Sequence, residues 1–101
     1  MPIDALVIKP EDNVATALRD IRSREDVTVG YGAERKEIHV QEPIPYGHKF
    51  AVRDIPLGMD ILKYGEVMGR ATSDIPMGTH AHVHNIESLR GRGDLAASEG
   101  K

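Results

Sequence analysis

Asp54-Ile55-Pro56-Leu57-Gly58 returns twenty residues later as Asp74-Ile75-Pro76-Met77-Gly78. In each copy a strand-like run enters Asp-Ile and meets a Pro-x-Gly corner, where Pro fixes φ and Gly admits a positive φ. Two such corners at that interval predict a small barrel whose strands turn back on one another. The pattern is too short for a solenoid, which stacks several copies of a longer unit.

The rest of the chain fits a mainly β class. Ala5-Leu6-Val7-Ile8 reads as a buried first strand ended by Pro10. Asp12 or Asn13 can cap a short helix in which Val14, Leu18 and Ile21 recur at spacings of four and three. Val27-Thr28-Val29 and Ile38-His39-Val40 flank a turn around Gly30 and Gly32, which reads as a hairpin. Phe50 and Val52 read as core positions of the strand that follows Gly47. Residues 1–88 are expected to form one domain, and residues 89–101, without periodicity, a tail or linker in which Leu89 and Leu95 anchor a short arm.

A chain of 101 residues with Phe50 and three tyrosines as its aromatics has a thin core. Contact with another chain, a second copy included, would add to it. The net charge of −3 and the scatter of the basic residues argue against nucleic acid. The absence of cysteine excludes disulfides and thiolate ligands. Met1-Pro2-Ile3-Asp4 opens no signal sequence and no apolar run reaches membrane-spanning length, so the expected location is the cytoplasm.

His80, His82 and His84 occupy alternate positions in Thr79-His80-Ala81-His82-Val83-His84-Asn85. In a strand all three rings share one face, with Thr79, Ala81 and Val83 over the core. Neighbouring rings, about 6.6 Å apart, can reach one metal ion, whereas His80 and His84, about 13 Å apart, cannot. At most two of the three are then direct ligands, with His48 or a carboxylate of another chain completing the set. A neutral imidazole would equally serve as a base near pH 7, and an exposed strand face can carry histidines for no chemical reason. Gly47-His48-Lys49 reads first as an ordinary loop-to-strand junction; its functional reading is a base and a cation beside a close backbone approach. Lys63-Tyr64-Gly65 is either an anion-binding pair or a common turn, and His39 a surface residue of the hairpin.

Gly47-His48-Lys49, Asp54-Ile55-x-x-Gly58, Ile61-Leu62-Lys63-Tyr64-Gly65, Gly69-x-Ala71-x-x-Asp74-Ile75-x-x-Gly78 and His82-x-His84-Asn85 stand in this order. Together they resemble the N-terminal SAF domain, a β-clip fold, of the altronate and galactarate dehydratase family, from about Asp12 to Asn85. The resemblance implies either the start of a long sugar-acid dehydratase or a separate small subunit beside a large one. The chain looks like the small-subunit form, its tail Arg90-Gly91-Arg92 reaching toward the large subunit or being the stub of a linker. A close branch is similar to the alpha subunit of sulfolactate sulfo-lyase, which eliminates sulfite.

By the same resemblance His82 and His84 are metal ligands for Fe²⁺ or Mn²⁺. His48 is a third ligand or an acid-base, and Lys49 pairs with the substrate carboxylate. Lys63, Tyr64 and Asn85 contact a sugar acid, and His80 ranks below its neighbours. The implied reaction removes the proton α to a carboxylate and expels a β-substituent, with positive charge stabilising the enolate. A non-catalytic SAF carbohydrate-binding or assembly module, or a stand-alone metal-binding barrel, are the other readings.

Overall fold

A computed structural model describes residues 2–88. Nine strands follow one another: β1 (Ala5–Val7), β2 (Val14–Ala17), β3 (Asp26–Tyr31), β4 (Glu34–His39), β5 (Lys49–Ala51), β6 (Asp60–Lys63), β7 (Glu66–Ala71), β8 (His80–Ala81) and β9 (Ile86–Ser88). They form a six-stranded sheet in the order β4-β3-β1-β2-β5-β8 and a three-stranded sheet in the order β6-β7-β9. The proposed tail at 89–101 lies outside the described residues.

β2 and β5 lie between two cores. Ala15, Ala17 and Phe50 pack with Val7, Val27, Val29 and Ile44 in one cluster, while Val14 and Ala51 pack with Ile55, Ile61, Ala71 and Ile75 in the other. Since successive side chains in a strand face opposite ways, adjacent residues of β2 and β5 are buried in different clusters. Burial on both faces corrects the expected helix at Val14–Ile21. The two-sided strand shows no apolar–polar alternation, and Val14, Leu18 and Ile21 imitate a helical spacing. Leu18 is exposed, and Ile21 pairs with Ile44 in an antiparallel bridge.

Asp12 and Asn13 do not cap a helix. Asp12 is fully buried and its carboxylate accepts hydrogen bonds from the backbone N–H of Lys9, Tyr64 and Gly65, at 3.2, 2.8 and 2.8 Å. The Asn13 amide accepts from Leu62 N and donates to Asp60 O. These two side chains bind the β6–β7 hairpin, whose turn places Tyr64 and Gly65 at φ of 59° and 75°, to the first sheet.

The repeated corners pair with each other. Ile55 and Ile75 form an antiparallel bridge, Leu57 N donates to Asp74 Oδ1 at 2.8 Å, and Met77 N donates to Asp54 Oδ1 at 2.9 Å. A third corner, Ile44-Pro45-Tyr46-Gly47, follows the same plan, with Tyr46 N donating to Asp20 Oδ1 at 2.8 Å. Gly47, Gly58 and Gly78 have φ of 82°, 87° and 86°, the value required at the third position of a type II turn. The hairpin expected around Gly32 is β3–β4, and Phe50 and Val52 are in the core. The fold is mainly β, as expected. No helix of the described residues is long and apolar enough to cross a membrane.

Candidate functional site

The third corner delivers His48. Its N–H donates to Pro45 O at 3.0 Å and its carbonyl accepts from Ala17 N at 2.9 Å, so the residue is fixed between the turn and β2. In the β5–β8 pair His80 stands opposite Phe50 and Ala81 opposite Lys49. Opposed residues share a face, as do residues two apart, so His48, Phe50 and His80 face one way and Lys49 the other.

The alternating strand expected over residues 79–85 is only partly present. β8 ends at Ala81, and the chain bends and turns from His82 to Asn85. Asn85 causes the turn: its Oδ1 accepts from His82 N at 2.9 Å and its Nδ2 donates to His80 O at 2.8 Å. Val83, expected over the core, is the exposed tip at 81%. Ala81 is fully buried as expected.

The turn gathers four imidazoles, with His48 and His82 stacked at 4.1 Å between ring centroids, His48 and His80 at 5.1 Å, and His80 and His82 at 5.3 Å. His48 Nδ1 and His80 Nε2 share a hydrogen bond of 2.9 Å. The exposed His84 ring lies 5.2 Å from that of His80 and is tilted to it by 40°. One nitrogen from each of His48, His80 and His82 lies within 4.8 Å of the others, the one group of three potential metal donors among the described residues. The geometry groups His80 with His48 and His82 and leaves His84 at the edge, whereas the family resemblance ranks His84 above His80. A metal with bonds of about 2.1 Å holds its donors about 3–3.5 Å apart, somewhat closer than the 4.8 Å within which these nitrogens lie.

Two features suit this trio to a cation. His82 Nδ1 is buried without a hydrogen-bond partner, an orphaned lone pair or N–H of the kind a ligand satisfies. Burial, aided by the neighbouring His48, holds the pKa of both His80 and His82 below the ordinary imidazole value, so both rings are neutral donors at pH 7. Folding without metal therefore excludes protons that the unfolded chain binds below about pH 6.5. Stability is expected to hold above that pH and fall below it. Urea melts at pH 7.5 and 5.5 should show the loss in the wild type and a smaller one in the His80→Gln/His82→Gln double variant; equal losses would contradict the assignment.

Behind His82 opens a cleft of about 210 Å³, lined by Lys49, Lys63, Ile61, Met68 and Ile86 among others. Lys49 is partly buried, and that desolvation, with the charge of Lys63, lowers its pKa from the ordinary lysine value. The Lys63 ammonium lies 4.8 Å from the centre of the exposed Tyr64 ring, a cation–π contact. The structure thus brings His48, Lys49, Lys63, Tyr64 and His82 into one region. Asn85 is beside it with its amide engaged by the backbone of His80 and His82.

Sequence reasoning missed one supporting residue, Glu42, and the structural part that Asn85 plays. Glu42 accepts a hydrogen bond from His80 N at 2.7 Å, and Asn85 shapes the turn. A signal for His80 was present, since it follows Gly78 of one Ile-Pro-x-Gly corner nearly as His48 follows Gly47 of another.

The altronate/galactarate dehydratase SAF domain matches residues 3–89. Altronate dehydratase of Escherichia coli is 39% identical over 77 residues, which are 76% of this chain and 15% of that protein. Altronate dehydratase of Bacillus subtilis is 42% identical over 81 residues, 80% of this chain and 16% of the relative. The alpha subunit of (2R)-sulfolactate sulfo-lyase from Chromohalobacter salexigens is 30% identical over 93 residues, 89% of this chain and 99% of that subunit. The chain thus spans about a sixth of the dehydratases and nearly all of the sulfo-lyase subunit.

Proposed function

The chain belongs to the altronate/galactarate dehydratase SAF-domain family, and we propose that it is the small subunit of a metal-dependent lyase acting on a hydroxy acid. The observation that carries this reading is the grouping of His48, His80 and His82 beside a cleft with two lysines. The near-complete coverage of a relative named as a subunit supports a separate chain that works with a larger one.

His48, His80 and His82 would hold a divalent ion, Fe²⁺ or Mn²⁺, both of which accept imidazole with oxygen ligands. The ion, when bound, supplies positive charge to an enolate that forms next to a carboxylate. Lys49 binds the carboxylate, and partial desolvation strengthens that pairing. Asn85 and Glu42 hold the backbone of the histidine segment, which keeps the imidazoles in place.

In the reaction the C–H bond α to the carboxylate breaks, its electron pair forms the C=C bond, and the β-substituent leaves with the electrons of its own bond. The enol then becomes a 2-keto acid. His84, exposed and outside the three-nitrogen group, is the imidazole free to carry the proton. The leaving group is water in the dehydratase reading and sulfite in the sulfo-lyase reading.

Mixing the full chain with a large lyase subunit and assaying galactarate, altronate and (2R)-sulfolactate tests this. Product is expected from at least one acid with both chains present and from neither chain alone. His82→Ala should lower kcat at least 100-fold. Turnover by this chain alone, or an unchanged rate in the variant, would contradict the proposal. Full function in the variant would favour a binding module, which has no need for the imidazole trio.

A further inference from the structure

β4 is an outer strand of the six-stranded sheet, and Glu34, Arg35, Lys36 and Glu37 are exposed along it. Val40 N donates to Glu25 O at 2.8 Å, which fixes the phase of the β3–β4 ladder. Bonded pairs alternate along an antiparallel ladder, so Glu34, Lys36 and Ile38 turn their backbone groups toward β3 while Arg35, Glu37 and His39 turn theirs outward. The outward row is bounded at both ends. The turn at Gly32 and Ala33 closes one, and Gly78 packs against the His39 carbonyl at the other. Between these limits the N–H and C=O groups of Arg35 and Glu37 have no partner among the described residues. Such an edge accepts a further strand, and its charges decide which one.

We propose that this edge pairs with the same edge of a second copy of the chain, antiparallel about a twofold axis at Lys36. Outward backbone groups must meet outward ones, so the axis can fall only on Arg35, Lys36 or Glu37. On Arg35 or Glu37 it sets that residue against itself, like charge on like. On Lys36 it sets Arg35 opposite Glu37 of the second copy, and Glu37 opposite the second copy's Arg35. Both pairs then exchange backbone hydrogen bonds and oppose unlike charges on one face, and the whole stretch from Glu34 to Ile38 is used. The like-charged pair in this register is Lys36 with itself. Its ammonium lies 4.8 Å from the centre of the Tyr31 ring, drawn toward β3 and away from the axis. The contact is isologous and joins two six-stranded sheets into one. Confined to one strand per copy, it makes a weak dimer that depends on concentration. Nothing in it uses the histidine site or the lyase reading.

The test is analytical ultracentrifugation of the full chain from micromolar to millimolar concentration at low ionic strength, where charge contacts are least screened. The wild type is expected to pass from monomer to dimer over that range. Arg35→Glu sets Glu against Glu across the axis, and Glu37→Arg sets Arg against Arg, so each variant alone should dimerise at least about tenfold more weakly. Neither change removes an ion pair within the chain, because the β3 residues opposite are Gly30 and Thr28, and thermal melts of the two variants check that they fold. Mixed in equal amounts, the two variants should recover dimer, since each mutant edge then meets its opposite charge at both positions. The double variant Arg35→Glu/Glu37→Arg should recover it by itself. A wild type that stays monomeric throughout, a dimer indifferent to the single changes, or a mixture that fails to recover would overturn the proposal.

Discussion

Gly78→Ala is expected to destabilise the chain by about 3–4 kcal/mol, while Gly58→Ala at the partner corner costs about 1–2 kcal/mol. Both glycines sit at nearly the same positive φ, 86° and 87°, so the backbone strain of a Cβ is common to them. Their surroundings differ. A Cβ on Gly58 meets open space, whereas one on Gly78 overlaps the carbonyl oxygen of His39 and crowds Gln41. Beside that close approach Gly78 O accepts a hydrogen bond from Gln41 N at 2.8 Å, tying the corner that leads into β8 to the chain just after β4.

For a domain of this size the Gly78 change corresponds to a fall in Tm of about 15–25 °C, enough to unfold a marginal protein. Thermal melts of the two variants side by side measure the difference. Equal shifts would mean that the turn conformation alone matters and that the contact with His39 carries no load. The comparison also concerns the site, because Thr79 and His80 follow Gly78 directly and β8 cannot keep its pairing with Phe50 if the corner moves.

The β class, the hairpin and the two Asp-Ile-Pro-x-Gly corners were legible because each rests on local chemistry: a Pro that fixes φ, a Gly that permits a positive one, and alternation along an exposed strand. The pairing of Ile55 with Ile75 was not legible, since it joins two corners through space, and neither was the use of Asp54 and Asp74 as reciprocal acceptors. The third corner escaped because its aspartate is Asp20, far from Ile44 in sequence. β2 was misread because Val14 and Ala15 are buried in different clusters, which erases the alternation that marks a strand. Asp12 and Asn13 have the chemistry of helix caps and use it on the backbone of a hairpin fifty residues away.

At the site, residue type and family motif single out His48, Lys49 and His82; the structure stacks His48 on His82 and sets Lys49 in the cleft that His82 also lines. Which of His80 and His84 stands with them depends on a turn set by the Asn85 amide, which residue spacing does not show. An extended strand would carry the three rings along one line, with the outer pair too far apart to share an ion. The turn instead removes His84 to the rim and leaves His80 hydrogen-bonded to His48. An asparagine that accepts from one backbone N–H and donates to a carbonyl two residues earlier is a turn signal, legible only once both partners are in place.

The central claim is that His48, His80 and His82 form the metal-binding group. Losing one imidazole of three removes a direct bond to the ion, which is expected to weaken binding at least tenfold, about 1.4 kcal/mol. Removing His84 takes away only a neighbouring ring. The decisive measurement is a Mn²⁺ titration of the full chain, by calorimetry at pH 7.5, in the wild type, His80→Ala and His84→Ala. The account predicts wild-type affinity within about twofold for His84→Ala and a loss of tenfold or more for His80→Ala. The reverse order, or equal affinity in all three proteins, would contradict it.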